Sequence, residues 1–275
     1  MMLSVVIITF NEEANIGQTL KSAMPLVSDG KGEIVVVDSG STDRTVEIAK
    51  SFGAKVFIEE WKGFAAQKNS AIDKAEGEWI LSLDADEEVD QDLLDELTKG
   101  QPGNWCLTMK QNSGIHQSRT SEAVGFFIRR KNHFLGRWIR HGGFWPDPKL
   151  RLFRRGKGRF EDRAVHEDLR VDGPTNLIER GALLHHSYPT ISDYIEHMNR
   201  YSSLGAEMVL AEGKGTVRFS FINILLRPAF TFIYNYFFRL GFLDGREGLL
   251  LHLYHAVYVS WKYTKAWELS RKPQQ

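Results

Sequence analysis

The chain holds a single cysteine, Cys106, so no internal disulfide can brace it, and a reducing compartment is the expectation. A charge excess of either sign is also missing, with 35 Lys and Arg against 35 Asp and Glu. That balance argues against a nucleic-acid partner, which would call for a basic surplus. The opening Met1-Met2-Leu3-Ser4 lacks the charged and apolar regions of a secretion signal, so the expected site of action is inside the cell. Repeats and low-complexity tracts are absent. What remains, with 42% hydrophobic and 25% charged residues over 275 positions, is a globular composition long enough for one large domain or a domain plus an appendage.

The first 110 residues alternate short β-branched runs with helix-like stretches. Residues 4–10, 33–38, 55–58, 79–83 and 105–110 read as strands, and 16–24, 43–52, 65–74 and 90–99 as helices. Such alternation predicts an α/β fold with a mostly parallel sheet covered on both faces. Ligands collect at the carboxyl ends of such strands, which directs attention to Asn11-Glu12-Glu13, Asp38-Ser39-Gly40-Ser41 and Asp84-Ala85-Asp86.

The buried-type strand Trp79–Leu83 runs into two carboxylates one residue apart. Mg²⁺ and Mn²⁺ take oxygen ligands and are shared between one or two carboxylates and substrate phosphates. Asp86 is therefore the expected metal ligand, while Asp84 can reach a ribose or a metal-bound water. The plainer alternative is that both acids cap the helix starting near Asp90. Asp38 ends another apolar strand, and a strand-end carboxylate can accept the imide N–H of uracil if Ser41 or Thr42 caps the next helix. The competing reading is an Asx turn. Asn11 and Glu12 follow the first strand and face the same mouth. Lys68, on the helix before the metal strand, can balance a diphosphate, although an exposed lysine is the commoner case.

The ordered set Val5-Val6-Ile7-Ile8-Thr9-Phe10-Asn11-Glu12, Val36-Val37-Asp38-Ser39-Gly40-Ser41-Thr42-Asp43 and Leu83-Asp84-Ala85-Asp86 resembles glycosyltransferase family two. The resemblance implies the GT-A fold, inverting transfer from a nucleotide-diphosphate sugar, and binding of uracil, ribose and metal by Asp38, Asp84 and Asp86 respectively. Inversion requires a base to take the acceptor hydroxyl proton as it attacks opposite the leaving diphosphate. Val165-His166-Glu167 is similar to a motif of membrane-linked members, so Glu167 is the expected base and Asp168 the second choice. Arg151 and Arg154, in Lys149-Leu150-Arg151-Leu152-Phe153-Arg154-Arg155, are expected to grip a phosphorylated acceptor. His185 is a further candidate near the metal or the leaving diphosphate.

Beyond residue 190 the pattern turns helical. Residues 218–242 are strongly apolar but place Ser220, Asn223, Arg227, Thr231, Asn235 and Arg239 at steps of three or four, one polar stripe on a helix. Arg227-Pro228 at the centre argues against a span and for a kinked helix lying in the membrane interface. Residues 247–268 repeat the theme, with lysines and with Trp261 and Trp267 suited to headgroup depth. A helical hairpin covering the core or forming a dimer is the alternative. The Arg227-Pro228 and Gly241-Phe242-Leu243-Asp244-Gly245 patterns resemble the tails of family members that build bacterial lipopolysaccharide core.

The expectations are thus a GT-A catalytic domain over residues 1–189, its donor half about 1–110 and acceptor half about 111–189, followed by a membrane-associating helical region over 190–275. The resemblance to the lipopolysaccharide core β-1,4-glucosyltransferases implies UDP-glucose as donor and an inner-core heptose as acceptor, at the cytoplasmic face of the bacterial inner membrane. The rivals are a sugar-nucleotide nucleotidyltransferase and a non-catalytic membrane scaffold. The first would want a glycine-rich basic loop where Asn11-Glu12-Glu13 is acidic.

Overall fold

The computed structural model describes residues 2–99, 123–161, 168–213 and 217–271. In chain order the first elements are β1 (Leu3–Thr9), α1 (Ile16–Val27), β2 (Gly32–Asp38), α2 (Thr45–Ser51), β3 (Lys55–Ile58), α3 (Phe64–Lys74), β4 (Trp79–Asp84), β5 (Glu87–Val89) and α4 (Gln91–Lys99). There follow β6 (Gly125–Phe134), β7 (Arg137–Trp138), β8 (Lys149–Arg154), β9 (Gly158–Glu161), β10 (Asp168–Val171) and β11 (Thr175–Tyr188). The expected strand at 105–110 lies outside the described residues.

Nine strands form one sheet in the order β3-β2-β1-β4-β8-β6-β11-β5, with β7 attached to β6. The pairs β3–β2, β2–β1 and β1–β4 are parallel, as βαβ crossovers require. The rest is corrected from the expected mostly parallel sheet, because β8 pairs antiparallel with both β4 and β6, and β5 pairs antiparallel with β11. The α/β class expected from the alternation is present. Its strands sort their side chains by period two. Val5, Ile7, Val36 and Leu81 face a cluster with Leu20 of α1, while Val6, Val35, Val37 and Ile80 face Ala71 and Ile72 of α3.

The described residues fall into two compact units. One takes those up to 130, 148–161 and 168–185, and the other takes 131–147 and those from 186 onward. The second unit contains α5 (Ile191–Glu212), a helical run built of the π-turns Ile222–Leu226 and Tyr234–Phe238 around α6 (Arg227–Ile233), and α7 (Gly245–Arg271). α5 opens on a capping box in which the Thr190 hydroxyl accepts the Asp193 N–H and the Asp193 carboxylate accepts the Thr190 N–H. Asp244, only 2% exposed, accepts the backbone N–H of His141 at 2.8 Å and sits 2.9 Å from its Nδ1, which pins the loop at Gly142-Gly143. No helix among the described residues is long and apolar enough to cross a membrane.

Candidate active site

Parallel register brings three of the expected segments to one sheet edge. Thr9 lies opposite Asp38 and Ile8 opposite Asp84, so the loops after β1, β2 and β4 leave the sheet together. The helix that follows the acidic turn has its own cap, since the Asp90 carboxylate accepts the Leu93 N–H at 2.8 Å. Asp84 and Asp86 are therefore not the caps of α4.

Asp84 is gripped from two sides. Lys68 of α3, buried at 4% exposure, places Nζ 2.9 Å from Oδ1, and Arg151 of β8 donates to Oδ2. Arg151 also donates to the fully buried carboxylate of Glu87 at 2.7 Å, and Glu87 accepts the Asp84 backbone N–H at 3.1 Å. Burial alone would raise the Asp84 pKa, but Arg151 and Lys68 outweigh it and hold the carboxyl well below its usual range. Burial likewise disfavours the Arg151 cation, and Asp84 and Glu87 reverse this to raise its pKa. The acidic turn is thus a buried ion cluster in which Asp84 and Glu87 are each met by cations.

The expectation that Arg151 grips an acceptor phosphate is corrected on this point. Its guanidinium is 6% exposed and engaged by two carboxylates of its own unit. Arg154 is corrected as well. It lies opposite Trp79, at the far end of β4 from Asp84, roughly 16 Å away at strand rise, where it meets Glu78 at 3.3 Å in an exposed surface pair.

Asp86 is brought to His185, whose Nε2 lies 3.3 Å from Oδ2. Strand β11 pairs with β5 so that His185 stands opposite Glu87, and Gly181 permits the approach. At φ +79° a Cβ on Gly181 would come within 2.1 Å of the Leu93 backbone nitrogen. Burial raises the Asp86 carboxyl, yet the His185 imidazole more than compensates and lowers it. Glu12 responds oppositely: burial, and then the charges of Asp86, Asp43 and Asp84, push its pKa up despite a hydrogen bond from Asn15. This corner is accordingly electronegative. Among the described residues no three acidic, histidine or cysteine side chains form a ready-made metal cage. A carboxylate and an imidazole side by side fit a hard or borderline cation that takes its other ligands from diphosphate and water.

The loops after β1 and β2 are laced to each other. Asn11, at φ +54°, accepts the Thr42 N–H at 2.9 Å and donates its own N–H to Ser41 Oγ, while the Glu12 N–H donates to Thr45 Oγ1. Asp38 is fully buried and its carboxylate accepts the N–H groups of Gly40 and Ser41 and the Ser41 hydroxyl. Asp38 thus forms an Asx turn, with Gly40 at φ +89° supplying the bend. Nor do Ser41 or Thr42 cap α2, because the Asp43 carboxylate accepts the Thr45 N–H at 2.9 Å.

Of the expected bases, Glu167 lies outside the described residues. Asp168 begins β10, exposed, opposite Glu161 of β9. That two-stranded sheet is tied to α3 by Asn69, whose side chain exchanges two hydrogen bonds with the Phe160 backbone, and the Phe160 ring lies 5.1 Å from Lys68 Nζ. Strand β9 thus lies beside the lysine that holds Asp84. Glu87 and the pairing role of Arg151 were missed from sequence. A lone Arg inside the apolar run Leu150-Arg151-Leu152-Phe153 is the signal that points to a buried partner.

A parallel-edged α/β sheet with an acidic turn at its carboxyl edge is the setting in which such folds hold ligands. Residues 4–159 match Glycosyl transferase family 2, and the chain belongs to that family. It is a glycosyltransferase, and the GT-A fold expected from the resemblance is the family's. Over 266 residues it is 30% identical to the lipopolysaccharide core biosynthesis glycosyltransferase LpsC of Rhizobium meliloti, covering 94% of this chain and 88% of the relative. Among solved structures, Staphylococcus aureus TarS 1–349 in complex with UDP aligns at TM-score 0.47 and 17% identity, covering 98% and 90% of the two chains. Glucosyl-3-phosphoglycerate synthase of Mycobacterium tuberculosis, in complex with Mn²⁺, UDP-glucose and phosphoglyceric acid, aligns at TM-score 0.31 and 28% identity over 35% and 37%.

Proposed function

We propose that this glycosyltransferase transfers a hexose, glucose from UDP-glucose, with inversion to an inner-core heptose of lipopolysaccharide, using a divalent cation, at the cytoplasmic face of the bacterial inner membrane. The observation that carries the donor half is the Asp86–His185 pair, 3.3 Å apart beside a charge-locked Asp84. Similarity to LpsC across nearly the whole chain supports the acceptor class.

In this reading Asp86 and His185 would hold a divalent cation, which would supply positive charge against the diphosphate. Lys68 and Arg151 fix Asp84 so that its carboxylate stays ionised and oriented toward the ribose side of the site. The Asn11–Thr42 and Asp38–Ser41 contacts hold the two loops that would flank the uracil. Glu167, with Asp168 as the second candidate, takes the proton of the acceptor hydroxyl. That oxygen bonds to the anomeric carbon as the bond to the diphosphate oxygen breaks on the opposite face.

The test is a panel of UDP-sugars offered with truncated core saccharides, read by product mass and anomeric configuration. Glucose transfer to a heptose with inversion is the expected result. Transfer to a different envelope saccharide would move the acceptor assignment while leaving the donor site intact, and transfer with retention would overturn the mechanism.

A further inference from the structure

The helical run from Phe221 to Phe238 is built inside out. On a water-soluble surface helix the apolar side faces the protein and the polar side faces solvent. Here Ser220, Asn223, Thr231 and Asn235 of the polar stripe are half-buried, and the Ser260 hydroxyl of α7 donates to the Ile224 carbonyl on that side. The outward side carries Phe221, Leu225, Phe230, Phe237 and Phe238, the last at 73% exposure. Large apolar patches of this kind mark a surface that something covers.

Charge selects the occupant. From Val217 to Leu243 there is no Asp or Glu, while Arg218, Arg227 and Arg239 are spaced along the segment. Arg227 and Arg239 lie over the rings of Tyr263 and Tyr234, and among the described residues neither meets a carboxylate. A second copy of the chain is a poor occupant. An isologous contact would bring together two copies of an acid-free segment whose exposed Arg227 and Arg239 flank the apolar face, with no carboxylate on the segment to pair them. A water-filled groove is poorer still.

Deepening the membrane setting proposed above, we infer that the face bearing Phe221, Phe230 and Phe238 inserts into an anionic phospholipid interface. The helix lies in the plane of the headgroups, and the arginines select acidic lipid. The half-buried asparagines and threonine let the opposite side pack on α7 and keep the segment from spanning.

The experiment is co-sedimentation of the full chain with vesicles of phosphatidylcholine alone and of phosphatidylcholine mixed with phosphatidylglycerol. Stronger binding to the anionic vesicles, weakened by salt, is expected from the parent protein alone. The F230E/F238E double variant, altered only at exposed positions, should lose binding by about tenfold or more. Arg218→Gln should lose roughly fivefold on anionic vesicles and nothing on neutral ones. UDP binding by calorimetry should be unchanged in both variants, which separates this surface from the donor site. Parent protein that ignores vesicles, or F230E/F238E protein that binds them as well as the parent, would overturn the inference. So would a dimer in sedimentation velocity that F230E/F238E dissociates.

Discussion

Arg151 and Asp84 meet across adjacent antiparallel strands, a guanidinium from β8 donating to the carboxylate that ends β4. The same Nη2 also donates to Glu87, so one side chain fixes both ends of the Asp84-Ala85-Asp86-Glu87 turn. The register that places Arg151 there is set by Leu81 standing opposite Leu152.

Removing that cation leaves Asp84 with Lys68 alone and Glu87 with Arg130 alone, at 3.4 Å. Arg151→Gln is expected to lower unfolding free energy by about 3 kcal/mol, the low end of the cost of breaking a buried pair from one side, because these second cations remain. Arg151→Lys keeps a charge but on a more strongly hydrated ammonium of different reach, and should recover part of the stability and little of the transfer rate. Urea unfolding and steady-state kinetics on the two variants check this.

Gly181 tests how closely β11 must approach α4. Gly181→Ala puts a methyl into the Leu93 backbone at a positive φ, so a loss exceeding about 1 kcal/mol is expected. Because His185 lies four residues along the same strand, Mn²⁺-dependent UDP affinity should fall with it. Thermal unfolding and a UDP titration measure the two effects.

His252 predicts a pH dependence in the second unit. The ring is 1% exposed and its nitrogens have no hydrogen-bond partner among the described residues. Burial depresses its pKa from 6.5 to about 4. The unfolded chain therefore binds a proton that the folded chain refuses, and stability falls as pH drops from about 6.5 toward 4, by at most about 3 kcal/mol. His252→Leu should flatten that slope in urea unfolding measured across the window.

The acidic turn predicts a second, lower window. Asp84 and Asp86 have depressed pKa values, so they add stability above the unfolded carboxylate range, near 4, and lose it as pH falls further. Asp84→Asn should make acid unfolding below about pH 4 shallower and lower stability at neutral pH, where Lys68 and Arg151 lose a partner. Circular dichroism during acid titration is the measurement.

The parallel half of the fold was legible because its strands are unbroken β-branched runs punctuated by Asp and Gly, and β1, β2 and β4 fall within a residue or two of the expected bounds. The antiparallel half was not. The pairing of β8 with β4 joins residues about 70 positions apart, and local periodicity carries no register. The misreading of Arg151 follows from this, since its strand was visible but its neighbour was not. The Asx turn at Asp38 was visible only as one of two alternatives, because local sequence does not place the Gly40 and Ser41 amides that its carboxylate accepts. In the tail, Ser220, Asn223, Thr231 and Asn235 of the expected stripe are half-buried while Arg227 and Arg239 are exposed, and which side faced protein depended on α7.

The account rests on the cation-holding role of Asp86 beside His185. UDP titrated by calorimetry into parent and Asp86→Asn protein, each with Mn²⁺ and with chelator, tests it most directly. Tight binding by the parent that requires Mn²⁺, reduced at least about a hundredfold in Asp86→Asn, is the predicted result. Equal UDP affinity in all four titrations would contradict it.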